Sequence, residues 1–243
     1  MLDTSSSCRL FFKQYRLMEF NFKKWQWSFL KTDEKILFFD LGANKGKVTQ
    51  KFIDYAKNYK AYLFDANPNI CRKLRIKFEQ PDFENKINIY ENIVGIDSNF
   101  YKFLIGTKRG WTNSMVESVH KEFCVSMRKF NRSLSVDVKS IDISKFILDE
   151  IKNEKHDIVI VKMDIEGSEW KIIDKMILDD AFKKIDVLLI EYHGVPSHLK
   201  ETHPKRDVYD ASKYNKMIYS ASERVKIYQE KGHCSYYYMT REL

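Results

Sequence analysis

The chain has 243 residues, a net charge of +8 and 44% hydrophobic residues, enough apolar material for one domain with a sizeable core. Its 8 glycines and 4 prolines exclude collagen-like, low-complexity and largely disordered chains. Four cysteines (Cys8, Cys71, Cys124, Cys234) lie far apart with no CxxC pair, which excludes a disulfide scaffold and offers no zinc or redox motif.

Residues 1–30 read as an N-terminal helical extension, with Trp25 and Trp27 as core residues. Arg9, Lys13, Arg16, Lys23 and Lys24 interrupt its aromatics. No apolar run approaches the ~18 residues of a spanning helix, and no export signal is recognisable. The expectation is a cytoplasmic protein with reduced thiols and no membrane span. The main domain is expected over 31–243.

The elements of that domain alternate. Ile36–Asp40 reads as a buried strand and Lys47–Tyr59 as a helix. Ala61–Asp65 is the next strand, and Asn69–Phe78 a helix opened by Pro68. Ile87–Val94 predicts a third strand. Residues 106–135 break the alternation and read as a lid or substrate loop. Ile158–Asp164 is a strand, Ser168–Met176 a helix and Val187–Tyr192 a strand. Helical spacing from Tyr214 to Tyr228 runs to a Gly232 stop, and Ser235–Met239 closes the chain as a strand. Such alternation predicts an α/β fold with a doubly wound, mostly parallel sheet and helices on both faces. Gly42, Gly46, Gly95, Gly167 and Gly194 each follow a strand. Ligands of such sheets bind beyond the carboxyl ends of the strands, where these glycines fall.

The turn Asp40-Leu41-Gly42-Ala43-Asn44-Lys45-Gly46 leaves the first strand, and Asp65 ends the second. An acid there suits the hydroxyls of a ribose, which predicts an adenosine-containing cofactor. The turn matches neither GxGxxG nor the phosphate loop GxxxxGK[ST]. Asp40 suits the ammonium of a methionine tail and the turn N–H groups its carboxylate, so S-adenosylmethionine (SAM) fits best. In Lys162-Met163-Asp164-Ile165-Glu166-Gly167, alternating positions put Lys162, Asp164 and Glu166 on one face at a strand end. Polar groups there are costly to bury unpaired, and a functional cleft accounts for them.

Taken in order, FDLGANKG, FDANP, VGIDSNF, GWTNS, VKMDIEGSEW and IEYHG resemble the FkbM-type methyltransferases over roughly residues 36–194. The resemblance implies a SAM-dependent O-methyltransferase with a Rossmann-like sheet, often acting on sugar or polyketide hydroxyls. By position, Asp40, Gly42, Asn44 and Gly46 resemble the cofactor turn and Asp65 the ribose acid. That place is more usually Glu followed directly by Pro, whereas Ala66 and Asn67 intervene here. Asn92 and Ile93 fall where such folds frame the adenine.

Methyl transfer to an alcohol needs a base or a metal to help remove the hydroxyl proton. His193, just after the Val187–Tyr192 strand, is the expected base, with Lys162 and Asp164, the latter also an expected cofactor contact, as further catalytic candidates. His198 and His203 are less constrained, and His120, His156 and His233 read as surface residues. A divalent metal held by Asp164 with Glu191 or His193 is possible but not favoured. Trp111, Asn113, Glu166 and Glu191 are candidate acceptor contacts.

The expected acceptor is a sugar or glycan hydroxyl. The +8 charge keeps RNA as a rival substrate for ribose 2′-O-methylation, although no RNA-binding pattern appears. A non-catalytic adenosine-binding module and a nicotinamide oxidoreductase are the other rivals. The paired motifs disfavour the first and the missing GxGxxG the second.

Overall fold

The computed structural model describes residues 27, 30, 33–105, 134–191, 226–229 and 235–239. In chain order its elements are β1 (Lys35–Leu41), α1 (Lys47–Tyr55), β2 (Asn58–Asp65), α2 (Pro68–Phe78), β3 (Ile87–Glu91), β4 (Ile93–Gly95) and β5 (Phe100–Ile105). There follow β6 (Leu134–Asp142), α3 (Ile143–Asn153), β7 (Ile158–Met163), α4 (Glu169–Leu178), β8 (Val187–Glu191), β9 (Lys226–Gln229) and β10 (Ser235–Met239). Seven strands form one sheet in the order β3-β2-β1-β7-β8-β10-β9. The first five pair in parallel and the last two antiparallel. This is the doubly wound α/β sheet that the alternation implies.

Both faces are covered, and strand parity decides which residue meets which helices. Leu37, Phe39 and Leu41 join Val159, Val161 and Met163 in packing against Ile143 and Ile147 of α3 and Ile172, Ile173 and Met176 of α4. The alternate residues Ile36, Phe38, Ile158 and Ile160 pack against Phe52 of α1 and Ile70, Leu74 and Phe78 of α2. Trp27 closes this second layer edge-on, its ring centroid 5.7 Å from that of Phe38 and 5.1 Å from that of Phe52.

Four expectations need correction. The helix read over 47–59 stops at Tyr55, because residues 58–60 pair with β1 and lengthen β2. The strand read over 87–94 is two strands: β3 ends at Glu91, and Ile93 starts β4, which pairs with β6 in a separate sheet ordered β4-β6-β5. Asn92 is the hinge, its side-chain amide donating to the Lys139 carbonyl at 3.0 Å. Residues 226–229, within the helical spacing read up to the Gly232 stop, are strand β9, paired antiparallel with β10. His156 is not a surface residue: its side chain is 2% exposed, and burial holds its imidazole below the usual histidine range.

Candidate active site

The carboxyl ends of β1, β2 and β7 meet at one point of the sheet. Asp164 N, just past β7, donates to Leu41 O at 3.0 Å, while Gly42 N and Ala43 N both donate to Phe64 O at the end of β2. The turn after β1 is therefore fastened to both neighbours. Gly42 sits at φ +78°, and a Cβ there would lie 1.9 Å from the Asp164 carbonyl oxygen. Only glycine fits, on backbone conformation and on space.

Asp65 ends β2 with both carboxylate oxygens engaged by backbone. Oδ2 accepts from Asn44 N at 3.0 Å and Oδ1 from Asn67 N at 2.9 Å. Burial pushes its carboxyl up to about 6, against the lowering effect of those two N–H groups and of the Lys162 charge. Asn67 also caps α2 through its side chain, which accepts from Asn69 N, with Pro68 at the first helical position.

The loop after β7 is wrapped around a carboxylate. Glu169, fully buried at the start of α4, accepts from Ile165 N at 3.1 Å and from Gly167 N at 2.9 Å. Glu166 and Gly167 take positive φ, 59° and 115°, to make that wrap. Acid at a helix start also complements the helix dipole. Replacing Glu169 with Ala leaves two inward N–H groups without acceptors, at ~1–3 kcal/mol each. Melting is expected ~5–10 °C lower for a chain of this size, readable by thermal denaturation; an unchanged midpoint contradicts the wrapped loop.

These three pieces enclose a cleft of about 610 Å³, open mouth included. Its polar lining is Asn44, Asp65, Asn92, Asp164, Glu166 and Ser168, with the Gly42 turn beside them. Its apolar lining includes Phe64, Ala66, Ile93, Val94 and Phe103. The cleft thus presents carboxylates and turn amides together with aromatic and aliphatic side chains. The chain matches the methyltransferase FkbM domain over residues 40–217.

It belongs to the FkbM methyltransferase family.

A crystal structure of methyltransferase FkbM from Methylobacillus flagellatus KT superposes on this FkbM-family chain with a TM-score of 0.51 at 16% identity, covering 93% of this chain and 49% of that one. The chain therefore spans about half the length of that protein, and the likeness is one of fold. Aeropyrum pernix fibrillarin, solved with S-adenosyl-L-methionine, has a TM-score of 0.39 at 12% identity, covering 86% of this chain and 66% of that one. TrmK of M. capricolum, solved with S-adenosylhomocysteine, also has 0.39 at 12%, covering 91% and 67%. No curated protein matches the chain.

Within this FkbM-family fold, Gly42, Asn44, Asp65, Asn92, Ile93, Asp164 and Glu166 converge on the cleft. Asp40 does not. It is 0% exposed, with Oδ2 accepting from the Thr49 hydroxyl at 2.6 Å and Oδ1 3.1 Å from Lys162 Nζ. A carboxylate sealed under the turn is not placed to take a ligand's ammonium. Lys162 is sealed with it. Burial alone would lower its pKa, but Asp40 and Asp164 outweigh burial and hold the ammonium above its ordinary value. A lysine that keeps its proton is no base. Gly46 also faces away from the cleft: it starts α1 at φ +63°, and a Cβ there would meet the Phe78 ring of α2 at 2.5 Å. Glu191 ends β8, partly exposed and off the cleft lining. Trp111, Asn113 and His193 lie outside the described residues.

Sequence reasoning missed Thr49, Phe103 and Glu169 as parts of the site. Thr49 had a readable signal, a hydroxyl three and four residues before Phe52 and Ile53 on the buried face of α1. Among the described residues no three of His, Cys, Asp and Glu come together as a metal site, and no helix is long and apolar enough to cross a membrane.

Proposed function

We propose that this FkbM-family chain is a SAM-dependent O-methyltransferase whose acceptor is a hydroxyl of a sugar or glycan. The observation that carries the reading is the convergence of the Gly42 turn, the Asp65 carboxylate and the Asp164–Glu166 loop on one cleft. The residues present suit SAM. The Asp65 carboxylate reaches the cleft with acceptor capacity beyond the two backbone N–H groups it already engages. Asn44 Oδ1 is buried with no hydrogen-bond partner among the described residues, an acceptor waiting for a donor. Ile93, Val94 and Phe103 offer an apolar wall for a purine. Bound there, SAM supplies an electrophilic methyl group.

The chain's own part is to bind, orient and deprotonate. Asp65 accepts from ribose hydroxyls, while the Gly42 turn lets the backbone approach the amino-acid end closely. Asp164 and Glu166 bring carboxylates to the same cleft, Asp164 toward the cofactor and Glu166 toward a polyhydroxyl acceptor, and both repel a phosphodiester. That charge pattern favours a glycan over RNA. His193, two residues after Glu191 in the sequence, is the base we assign to the acceptor hydroxyl. Trp111 and Asn113 are assigned to the acceptor side on their sequence motif. Holding the reactants in line supplies up to ~7–11 kcal/mol of the barrier reduction. The sparse cysteines accord with a cytoplasmic location.

Incubation with labelled SAM and a panel of oligosaccharides, with RNA as the competing acceptor, tests the reading by mass spectrometry. Label on a sugar hydroxyl is expected, with little salt dependence. Label on RNA, falling steeply with salt, or no label on any acceptor overturns it. In the productive assay His193→Ala is expected to lower kcat by ~10²–10⁴-fold; full activity removes that base.

A further inference from the structure

Asp40 and Lys162 are register partners on the adjoining strands β1 and β7, with side chains 0% and 3% exposed. Taking two charges out of water is expensive, and such a pair is a poor device for stability alone. Its surroundings suggest another use. Lys162 Nζ donates to the Gly42 carbonyl at 2.6 Å and lies 3.6 Å from Asp164 Oδ2. Gly42 and Asp164 both line the cleft, one from each of the two motifs that build it. The ammonium therefore ties the turn after β1 to the loop after β7 from beneath. Thr49 completes the base, its hydroxyl fixing the far oxygen of Asp40.

We infer that the Asp40–Lys162 pair is a positioning device, which sets the Gly42 carbonyl and the Asp164 carboxylate in the geometry that receives the cofactor. The inference rests on the reading of the cleft as a SAM site. It gives both residues a task without placing either against ligand, and it accounts for a charged lysine on a strand otherwise built of buried apolar residues.

The double variant Asp40→Asn, Lys162→Met removes both charges, nearly preserves side-chain volume and leaves Thr49 an acceptor. Exchanging a buried ion pair for neutral groups is often neutral or favourable for stability. The variant is expected to melt within a few degrees of the wild type, yet to bind SAM roughly tenfold to a hundredfold more weakly by calorimetry, as loss of a charge-assisted hydrogen bond predicts. Thr49→Val is the gentler companion: it keeps shape, frees one oxygen of Asp40 and is expected to weaken SAM binding a few-fold. A merely structural pair predicts the reverse, a lowered melting point with unchanged affinity per folded molecule. Unchanged affinity in either folded variant overturns the inference. Failure of the wild type to bind SAM overturns instead the cofactor reading beneath it.

Discussion

Gly42→Ala is expected to lower the melting temperature by roughly 10 °C and to abolish SAM binding at millimolar ligand. The residue sits at φ +78°, where a side chain costs ~1–2 kcal/mol. The larger cost is steric, since the added Cβ would lie 1.9 Å from the Asp164 carbonyl oxygen, which belongs to backbone and cannot swing aside. The ends of β1 and β7 must then part. Parting them breaks the Asp164 N to Leu41 O bond and the Lys162 bond to the Gly42 carbonyl, each worth ~1–2 kcal/mol. The sum, about 3–6 kcal/mol, is at the upper end for one substitution, and at ~2–4 °C per kcal/mol it covers the stated shift. Gly46→Ala is the control. It meets similar backbone strain and the Phe78 ring at 2.5 Å, but away from the cleft, so it should lose stability while the folded fraction still binds. Thermal denaturation and calorimetry on both variants decide the matter; Gly42→Ala binding SAM like Gly46→Ala contradicts the close approach at residue 42.

The parts of the fold most legible in the sequence are those where burial on both faces leaves no choice of residue. β1, β7 and β8 are continuous apolar runs because helices cover both sides. The cleft was legible for the same reason: polar residues and glycines at the ends of such runs stand out. Less legible were features that depend on pairing. Ile87–Val94 reads as one strand, yet the chain changes sheets at Asn92, and only the bond to Lys139 and the pairing with β6 reveal it. Residues 226–229 fit a helical spacing until β10 offers them a partner.

The two acids at the ends of β1 and β2 show the limit most clearly. Asp40 and Asp65 both end apolar strands and are chemically alike. Asp40 meets a lysine across the strand pair and a threonine from α1, and so is sealed. Asp65 accepts from two backbone N–H groups and lines the cleft. The register that pairs residue 40 with residue 162 is a property of the folded sheet, and no local pattern announces it.

That difference makes Asp65 the residue through which cofactor affinity should respond to pH. In the empty protein, burial pushes its carboxyl from 3.8 up to about 6. Hydrogen bonds from a ribose favour the ionised form, so occupancy lowers that value again. Below pH 6 binding must expel a proton. The dissociation constant for SAM is then expected to rise by up to ~10-fold per pH unit, and to be flat above pH 7. Stability of the empty protein runs the other way. A carboxyl raised from 3.8 to about 6 contributes stability that is fully present below pH 3.8 and lost as pH rises through 6, about 3 kcal/mol in all. The thermal shift produced by SAM should therefore widen from pH 5 to pH 7.5, as the free protein weakens and the complex tightens. Asp65→Asn removes both trends. It keeps one acceptor oxygen but turns an amide toward Asn44 N or Asn67 N, and it gives up charge-assisted bonds to two hydroxyls worth ~1.5–3 kcal/mol each. A loss of at least ~100-fold in SAM affinity follows, with the residual binding insensitive to pH between 5 and 7.5. Equal wild-type affinity at those two pH values, or a variant that binds as the wild type does, removes Asp65 from the ribose. The carboxylate would then be a buried cost of this fold with nothing to set against it.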